Sequence, residues 1–392
     1  MSAPVIKGWC PGALRPMLSG DGLVVRVRPC GGRLTQAQGK GIADLSARHG
    51  NGLIDLSARA NIQLRGISEA DHGRLIEGLA ALGLIDETTE VESRRNITVT
   101  PFWRHGDGVQ EVVTSLAGAL GRPDAPPTPG KFGYAVDCGA EPVLSEISAD
   151  IRIERGPGGA LLVRPDGAAT GAAATLGNAA TLAVDLAHWF LATGGAPDGR
   201  GRMAAHLARG VRLPDIFTDL PARPRATAPA PAPGPLPPGF LVAFEFGQMM
   251  AETMSRLAET GSLRITPWRM ILIEDATEAP PIPGLIIDPA DPMLRVIACT
   301  GAPGCPQALV ATRELARAVA GALPATARLH VSGCAKGCAH PARAPLTLVG
   351  RAGGTLDLIR DGTAADAPSL TGLATATLAA NPTLLTETAH AS

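Results

Sequence analysis

The stretch 221–238 (PARPRATAPAPAPGPLPP) carries prolines that remove backbone donors and favour extended polyproline conformations, so no helix or central strand can run through it. It reads as a linker. On either side the same order of hydrophobic patterns recurs, which points to an internal duplication. Before it, 22–28 (GLVVRVR) alternates as a strand, 34–50 reads as a helix, and 53–57 with 61–66 read as paired strands. After it, 239–246 (GFLVAFEF) is a strand, 248–260 a helix, and 262–266 with 269–274 paired strands. Each copy is followed by a longer α/β segment. In the first of these, 97–100 and 151–153 are strand candidates and 179–192 is a helix with Leu182, Leu186, Trp189 and Phe190 on its apolar face. The expected organisation is a half-module over 1–85, a lobe over 90–220, the linker, a second half-module over 239–283 and a second lobe over 284–392.

Composition bounds the function. Apolar residues are 45% of the chain and charged residues 18%, enough for substantial cores and too few charges for a long disordered tail. Lys plus Arg total 35 against 36 for Asp plus Glu, so no bulk attraction to nucleic acid or an anionic membrane is expected. The most apolar region, 168–193, is interrupted by Asn178, Asp185 and His188, and no membrane span is expected. The first ten residues lack an apolar signal segment, and a cytoplasmic location is expected.

Four of the seven cysteines form two close pairs, Cys299 with Cys305 and Cys334 with Cys338, a C-x5-C followed after 28 residues by a C-x3-C. Residues 293–298 read as a buried strand entering the first pair, 307–323 as a helix with Leu309, Leu315, Val319 and Leu323 inward, and 327–332 as a second strand. A right-handed β-α-β crossover makes such strands parallel and brings both cysteine loops to one sheet edge. Gly301, Gly304, Gly333 and Gly337 beside the cysteines let backbone amides approach the sulfurs. Four thiolates suit a [4Fe-4S] cluster; a structural zinc also accepts four, although C-x5-C is loose for a zinc knuckle. Cys10, Cys30 and Cys138 read as small buried residues.

The paired cysteines and the duplication together resemble the nitrite and sulfite reductase family, whose cysteines hold a cluster beside a sirohaem. The resemblance implies an α+β fold with pseudo-two-fold duplication: two ferredoxin-like half-modules in one central unit, flanked by two α/β lobes. The segment 57–66 (SARANIQLRG) is similar to that family's first signature, where Arg59 and Gln63 match and Arg65 stands in place of the usual His. Arg95 and Asn96 resemble its Arg-Asn pair, and Lys131 with Phe132 its Lys-Phe-Lys segment, with Gly133 replacing the second Lys. In the last signature Lys336 replaces the usual Asn and His340 the usual Arg. The implied tetrapyrrole-binding residues are Arg59, Gln63, Arg65, Arg95, Asn96 and Lys131, and the implied cluster ligands Cys299, Cys305, Cys334 and Cys338.

These departures weigh against six-electron anion reduction, which must deliver several protons to one site. The segment 9–29 (WCPGALRPMLSGDGLVVRVRP) is similar to a branch of the family in aerobic cobalamin biosynthesis. That branch implies hydroxylation of precorrin-3A at C20 by O2, with γ-lactone formation. Planar guanidinium groups suit the acetate and propionate fringe of such a substrate. A sirohaem or a mononuclear non-haem iron is the implied companion of the cluster, with His330 and His340 as candidate iron ligands. NADH is the implied ultimate reductant, but no complete strand-GxGxxG-helix fingerprint is present, so an electron-donor protein is expected. Two other readings stay open: a sirohaem-dependent sulfite or nitrite reductase, and a non-enzymatic iron-sulfur electron carrier or zinc-stabilised binding module.

Overall fold

The computed structural model describes residues 11–224 and 230–386. Two five-stranded antiparallel sheets form its centre. The first runs, in spatial order, Met17–Ser19, Gly22–Val27, Ile62–Ile67, Leu53–Leu56 and then Gln248–Met250. The second runs Gly234–Leu236, Gly239–Ala243, Met270–Glu274, Leu263–Ile265 and then Arg33–Leu34. Each sheet is therefore closed by a strand from the other half. Gln248 lies opposite Asp55 in the first, and Arg33 opposite Arg264 in the second.

A tight turn precedes each exchanged strand, with a left-handed residue at the same place: Gly31 (φ 63°, ψ 13°) in one copy and Phe246 (φ 58°, ψ 13°) in the other. The helices that follow, Gln36–His49 and Ala251–Thr260, pack on each other and share one core. The first begins in a capping box, with Thr35 Oγ1 accepting from the Gln38 amide and Gln38 Oε1 accepting from the Thr35 amide at 3.2 and 3.0 Å.

The lobes repeat one topology. In the first, Ile97–Val99, Tyr134–Asp137 and Ile151–Arg155 are parallel, and Leu161–Pro165, Thr170–Ala173 and Leu220–Pro221 continue antiparallel. In the second, Val296–Ala298, Leu329–Ser332 and Ala344–Gly350 are parallel, and Thr355–Gly362 and Leu370–Ala374 are antiparallel. The fold is the expected duplicated α+β architecture. No helix among the described residues is long and apolar enough to cross a membrane.

Several local expectations need correction. The ends of the 221–238 segment are strands: Leu220–Pro221 joins the first lobe and Gly234–Leu236 pairs with Gly239–Ala243. Edge positions tolerate Pro because one row of backbone donors there has no ladder partner. Residues 248–250, expected to be helical, form the exchanged strand. The helix expected over 307–323 is only Arg313–Ala320, and Leu309 is exposed. Its backbone is used elsewhere: the Leu309 amide bonds to the Gly333 carbonyl and the Val310 carbonyl accepts from Ala302, which holds this segment as a loop. Residues 292–295 likewise form a turn before the short strand Val296–Ala298.

Equivalent positions of the two central hairpins carry a charge pair in opposite order. In the first, buried Arg65 bonds to Asp55 at 3.3 Å; in the second, Arg264 donates to Glu274 at 2.6 Å. Exchanged Arg33 adds bonds of 2.8 and 2.7 Å to Glu274. Arg264 also donates to the Pro101 and Trp103 carbonyls at 2.8 and 2.6 Å and lies 3.6 Å above the Trp103 ring centre. Burial opposes Glu274 ionisation, but bonds from the two arginines prevail and hold its pKa below the usual range. A folded-state pKa that is depressed gives stability present above the unfolded value and lost as pH falls. Glu274→Gln, which strands two arginines, is therefore expected to destabilise the protein by about 3 kcal/mol near neutral pH. In urea unfolding, the gap from wild type should narrow once acid protonates Glu274; a gap independent of pH would contradict the ion-pair account.

Candidate active site

A cavity of about 360 Å³ opens between the first central hairpin and the cysteine loops of the second lobe. Arg26, Asp55, Arg59, Gln63 and Arg65 line it from the first sheet, Phe246 and Arg269 from the second half-module, and Arg313, Cys299 and Cys338 from the second lobe. Five arginines thus face one space with one carboxylate among them. A planar guanidinium pairs with carboxylates through parallel N–H bonds, so the wall carries groups of the chemistry that recognises carboxylates.

Strand register explains most of the lining. Arg26 sits opposite Gln63 on neighbouring strands and donates to its Oε1 at 3.0 Å. The turn from Ser57 to Asn61 is held by Ser57 Oγ, which accepts from the Arg59 and Asn61 amides at 3.3 and 3.2 Å. Arg59 then reaches the Lys131 carbonyl at 3.0 Å. Asp55 accepts from Gln248 at 2.7 Å and lies 3.7 Å from Arg313, while Arg313 also bonds to Gln248 Oε1.

Of the sequence-derived tetrapyrrole residues, Arg59, Gln63 and Arg65 line the cavity and Arg95, Asn96 and Lys131 do not. Arg65 is largely committed to its own protein: Asp21 takes it bidentately at 2.7 and 2.9 Å, and Asp55 and Ser19 each accept a further bond. It braces the wall, with most of its donors engaged inside the protein. Arg95 is likewise claimed by Asp86 at 2.6 and 2.8 Å, and Asn96 bonds to the Phe132 carbonyl at 2.9 Å. Lys131 is exposed to solvent and meets Arg59 through its backbone carbonyl.

Arg26, Asp55, Arg269 and Arg313 were not anticipated. Aligning the two hairpins places Arg269 at the position of Ala60, and both have left-handed backbones, with φ of 61° and 53°. That alignment was the available signal for Arg269. Arg313 had none, because a polar residue on an expected helix face is ordinary.

The two cysteine loops leave the parallel strands Val296–Ala298 and Leu329–Ser332 at the same edge. The Gly333 amide donates to Cys299 Sγ at 3.2 Å. From the other half of the chain, Ser19 Oγ, the Gly20 amide and Arg65 converge on the Gly304 carbonyl at 2.7, 3.1 and 3.4 Å, pinning the first loop. Burial raises the Cys338 pKa, and Cys334, Cys299 and Cys305 beside it add to the rise. Cys299 and Cys338 also line the same cavity. Yet among the described residues no three Cys, His, Asp or Glu side chains approach as a single ion requires.

His330 is fully buried, with its ring 5.7 Å from that of His340 and neither nitrogen hydrogen-bonded. Burial, with His340 and Arg269 nearby, pushes its pKa down to about 4, so it is neutral. No carboxylate joins the pair among the described residues, and the two histidines do not assemble a 2-His-1-carboxylate set. Cys138 is buried as expected and desolvation pushes its pKa up to about 12, whereas Cys30 is exposed. Cys10 lies outside the described residues.

Residues 15–82 match the family model described as the nitrite/sulfite reductase ferredoxin-like half domain. The chain is 28% identical over 399 aligned residues to a curated precorrin-3B synthase from Sinorhizobium sp, an alignment covering 94% of this chain and 85% of the relative. Among solved structures it is similar to the Mycobacterium tuberculosis NirA protein, with a TM-score of 0.62 and 18% identity, covering 91% of this chain and 79% of that one.

The placement of the thiols makes a direct prediction about metal content. Cys299→Ser and Cys338→Ser should each lose most of a complement of about four irons and four acid-labile sulfides per chain. Cys138→Ala, which alters a thiol in the other lobe, should keep both. Equal loss in all three, measured by iron and sulfide analysis on anaerobically purified protein, would refute the ligand assignment.

Proposed function

We propose that the chain is a precorrin-3B synthase, an oxidoreductase that uses a nitrite/sulfite reductase-type tetrapyrrole pocket as a substrate site. Its reaction is the hydroxylation of precorrin-3A at C20 with γ-lactone closure from a neighbouring acetate. One atom of O2 enters the substrate and the other leaves as water, which takes two electrons and two protons. NADH is the ultimate source of the electrons, passed on by a donor protein. The observation that carries the reading is the arginine-lined cavity opening directly onto Cys299 and Cys338.

Within it, Arg26, Arg59, Arg269 and Arg313 bind and orient the carboxylate fringe of the macrocycle. Gln63 fixes Arg26, and the bond between Arg65 and Asp55 stiffens the wall behind them. Cys299, Cys305, Cys334 and Cys338 would hold a [4Fe-4S] cluster, which supplies electrons one at a time when bound. A sirohaem or a mononuclear iron remains the proposed companion for oxygen chemistry, with no ligand set assigned to the mononuclear alternative.

The second reading, a sirohaem-dependent sulfite or nitrite reductase, is favoured by the likeness in fold to NirA. The site argues against it. Gly133, where the second anion-site lysine would stand, is buried; a Cβ there would lie 3.0 Å from the Asn96 amide, and its own amide is bound to Asp150 at 3.0 Å. A lysine would have to displace that packing. An electron carrier has no use for a polyanion cavity beside its cluster.

Protein supplied with precorrin-3A, a reduced donor and isotopically labelled O2 should release a product bearing one labelled oxygen, and none without O2. Sulfite or nitrite turnover by protein showing the Soret band of bound sirohaem, with precorrin-3A unconsumed, would move the reductase reading to first place.

A further inference from the structure

We infer that Arg269 is the principal carboxylate anchor of the cavity and sets its preference for polycarboxylate tetrapyrroles. The inference rests on the tetrapyrrole reading of the site and names the residue on which that reading turns.

Two of the other cavity arginines, Arg65 and Arg313, already have a carboxylate of the protein beside them. Arg65 is held by Asp21 and Asp55, Arg313 by Gln248 with Asp55 nearby, Arg26 by Gln63, and Arg59 by the Lys131 carbonyl. Arg269 makes one hydrogen bond, from Nη2 to the Ala339 carbonyl at 3.0 Å, and among the described residues no carboxylate lies within ion-pair distance of it. A guanidinium carries five N–H donors, so most of this one remains for a ligand. Desolvation lowers its pKa, Arg313 adds to the fall, and the attraction of Asp55 only partly offsets it.

The backbone is arranged for this side chain at two places. Arg269 adopts φ 61°, a left-handed conformation that is unfavourable for a non-glycine residue. Gly247, at φ 68°, supplies the space: a Cβ there would lie 2.5 Å from the Arg269 Cβ. The equivalent corner of the first hairpin has the same backbone turn and carries only Ala60. Arg59 and Arg269 therefore enter the cavity from opposite copies of one hairpin, as carboxylates on different edges of a macrocycle demand.

The test is a fluorescence titration of the full-length, cluster-loaded protein with uroporphyrin III, a stable polycarboxylate tetrapyrrole. Wild type should bind it, and Arg269→Gln should weaken binding by at least about 30-fold, as expected when one partner of a buried charge pair is removed. Arg269→Lys should fall between, keeping the charge but not the fork. Arg212→Gln, altering an exposed arginine paired with Asp215, should bind as wild type. If Arg269→Gln fails to fold, Arg269→Gly gives the same measurement, because glycine accepts the left-handed backbone. Wild-type binding with less than about a threefold change in Arg269→Gln, the scale of an exposed charge, overturns the inference and leaves the tetrapyrrole pocket standing. Absence of wild-type binding overturns both.

Discussion

Gln248–Met250 completes the first central sheet and Arg33–Leu34 completes the second, so each half of the chain covers an edge of the other. An uncovered strand edge presents unpaired amides and carbonyls, and the exchange satisfies them without adding a separate element. It also fixes the pseudo-two-fold relation, because slipping either exchanged strand by one residue would turn its own side chains to the opposite face of the sheet. The helices Gln36–His49 and Ala251–Thr260 lock against each other under this constraint. Cavity, cysteine loops and lobes are positioned from that frame.

The duplication is symmetric in backbone and asymmetric in chemistry. After Val99 the first lobe presents Trp103, which stacks on Arg264 and fills the space beside the second hairpin. After Ala298 the second lobe presents Cys299, and the space beside the first hairpin stays open as the cavity. Reversing the charge pair follows from this difference. Arg264 can be satisfied by carbonyls of a packed loop, whereas Asp55 faces a cavity whose other charged groups are arginines and partly balances them. One copy provides structure and the other provides the site.

Local patterns made much of the fold legible. The helix expected over 179–192 is Ala179–Ala192, and the alternating segments around the first signature are the paired strands Leu53–Leu56 and Ile62–Ile67. The parallel pairing of Val296–Ala298 with Leu329–Ser332 followed from chain handedness alone. The exchanged strands were not legible, since three residues paired with a segment some 190 positions away leave no periodicity to detect; Gln248 and Asp55 are separated by 193 residues. Site residues divided in the same manner. Arg59 and Gln63 sit in a hairpin whose register can be read locally, while the engagement of Arg65 by Asp21 and Arg95 by Asp86 depends on tertiary placement. Leu309 followed the helical period, but the loop's bond to Gly333 decided its environment.

The Gly304 carbonyl, gripped by Ser19, Gly20 and Arg65, has a consequence for the order of assembly. During synthesis the first hairpin emerges long before the strand that closes its sheet, and longer still before the loop it must hold. Until Gln248–Met250 arrives the edge at Leu53–Leu56 is open, a state prone to pairing with other chains. The buried arginines of that hairpin also wait for later partners, because Arg65 finds Asp21 and Asp55 early and Gly304 only near the end. The contact that steadies the cysteine loop is thus among the last to form. Final placement of the cysteine loop and closure of the fold become the same late event, so a chain that has not finished folding cannot present these thiols in their final arrangement.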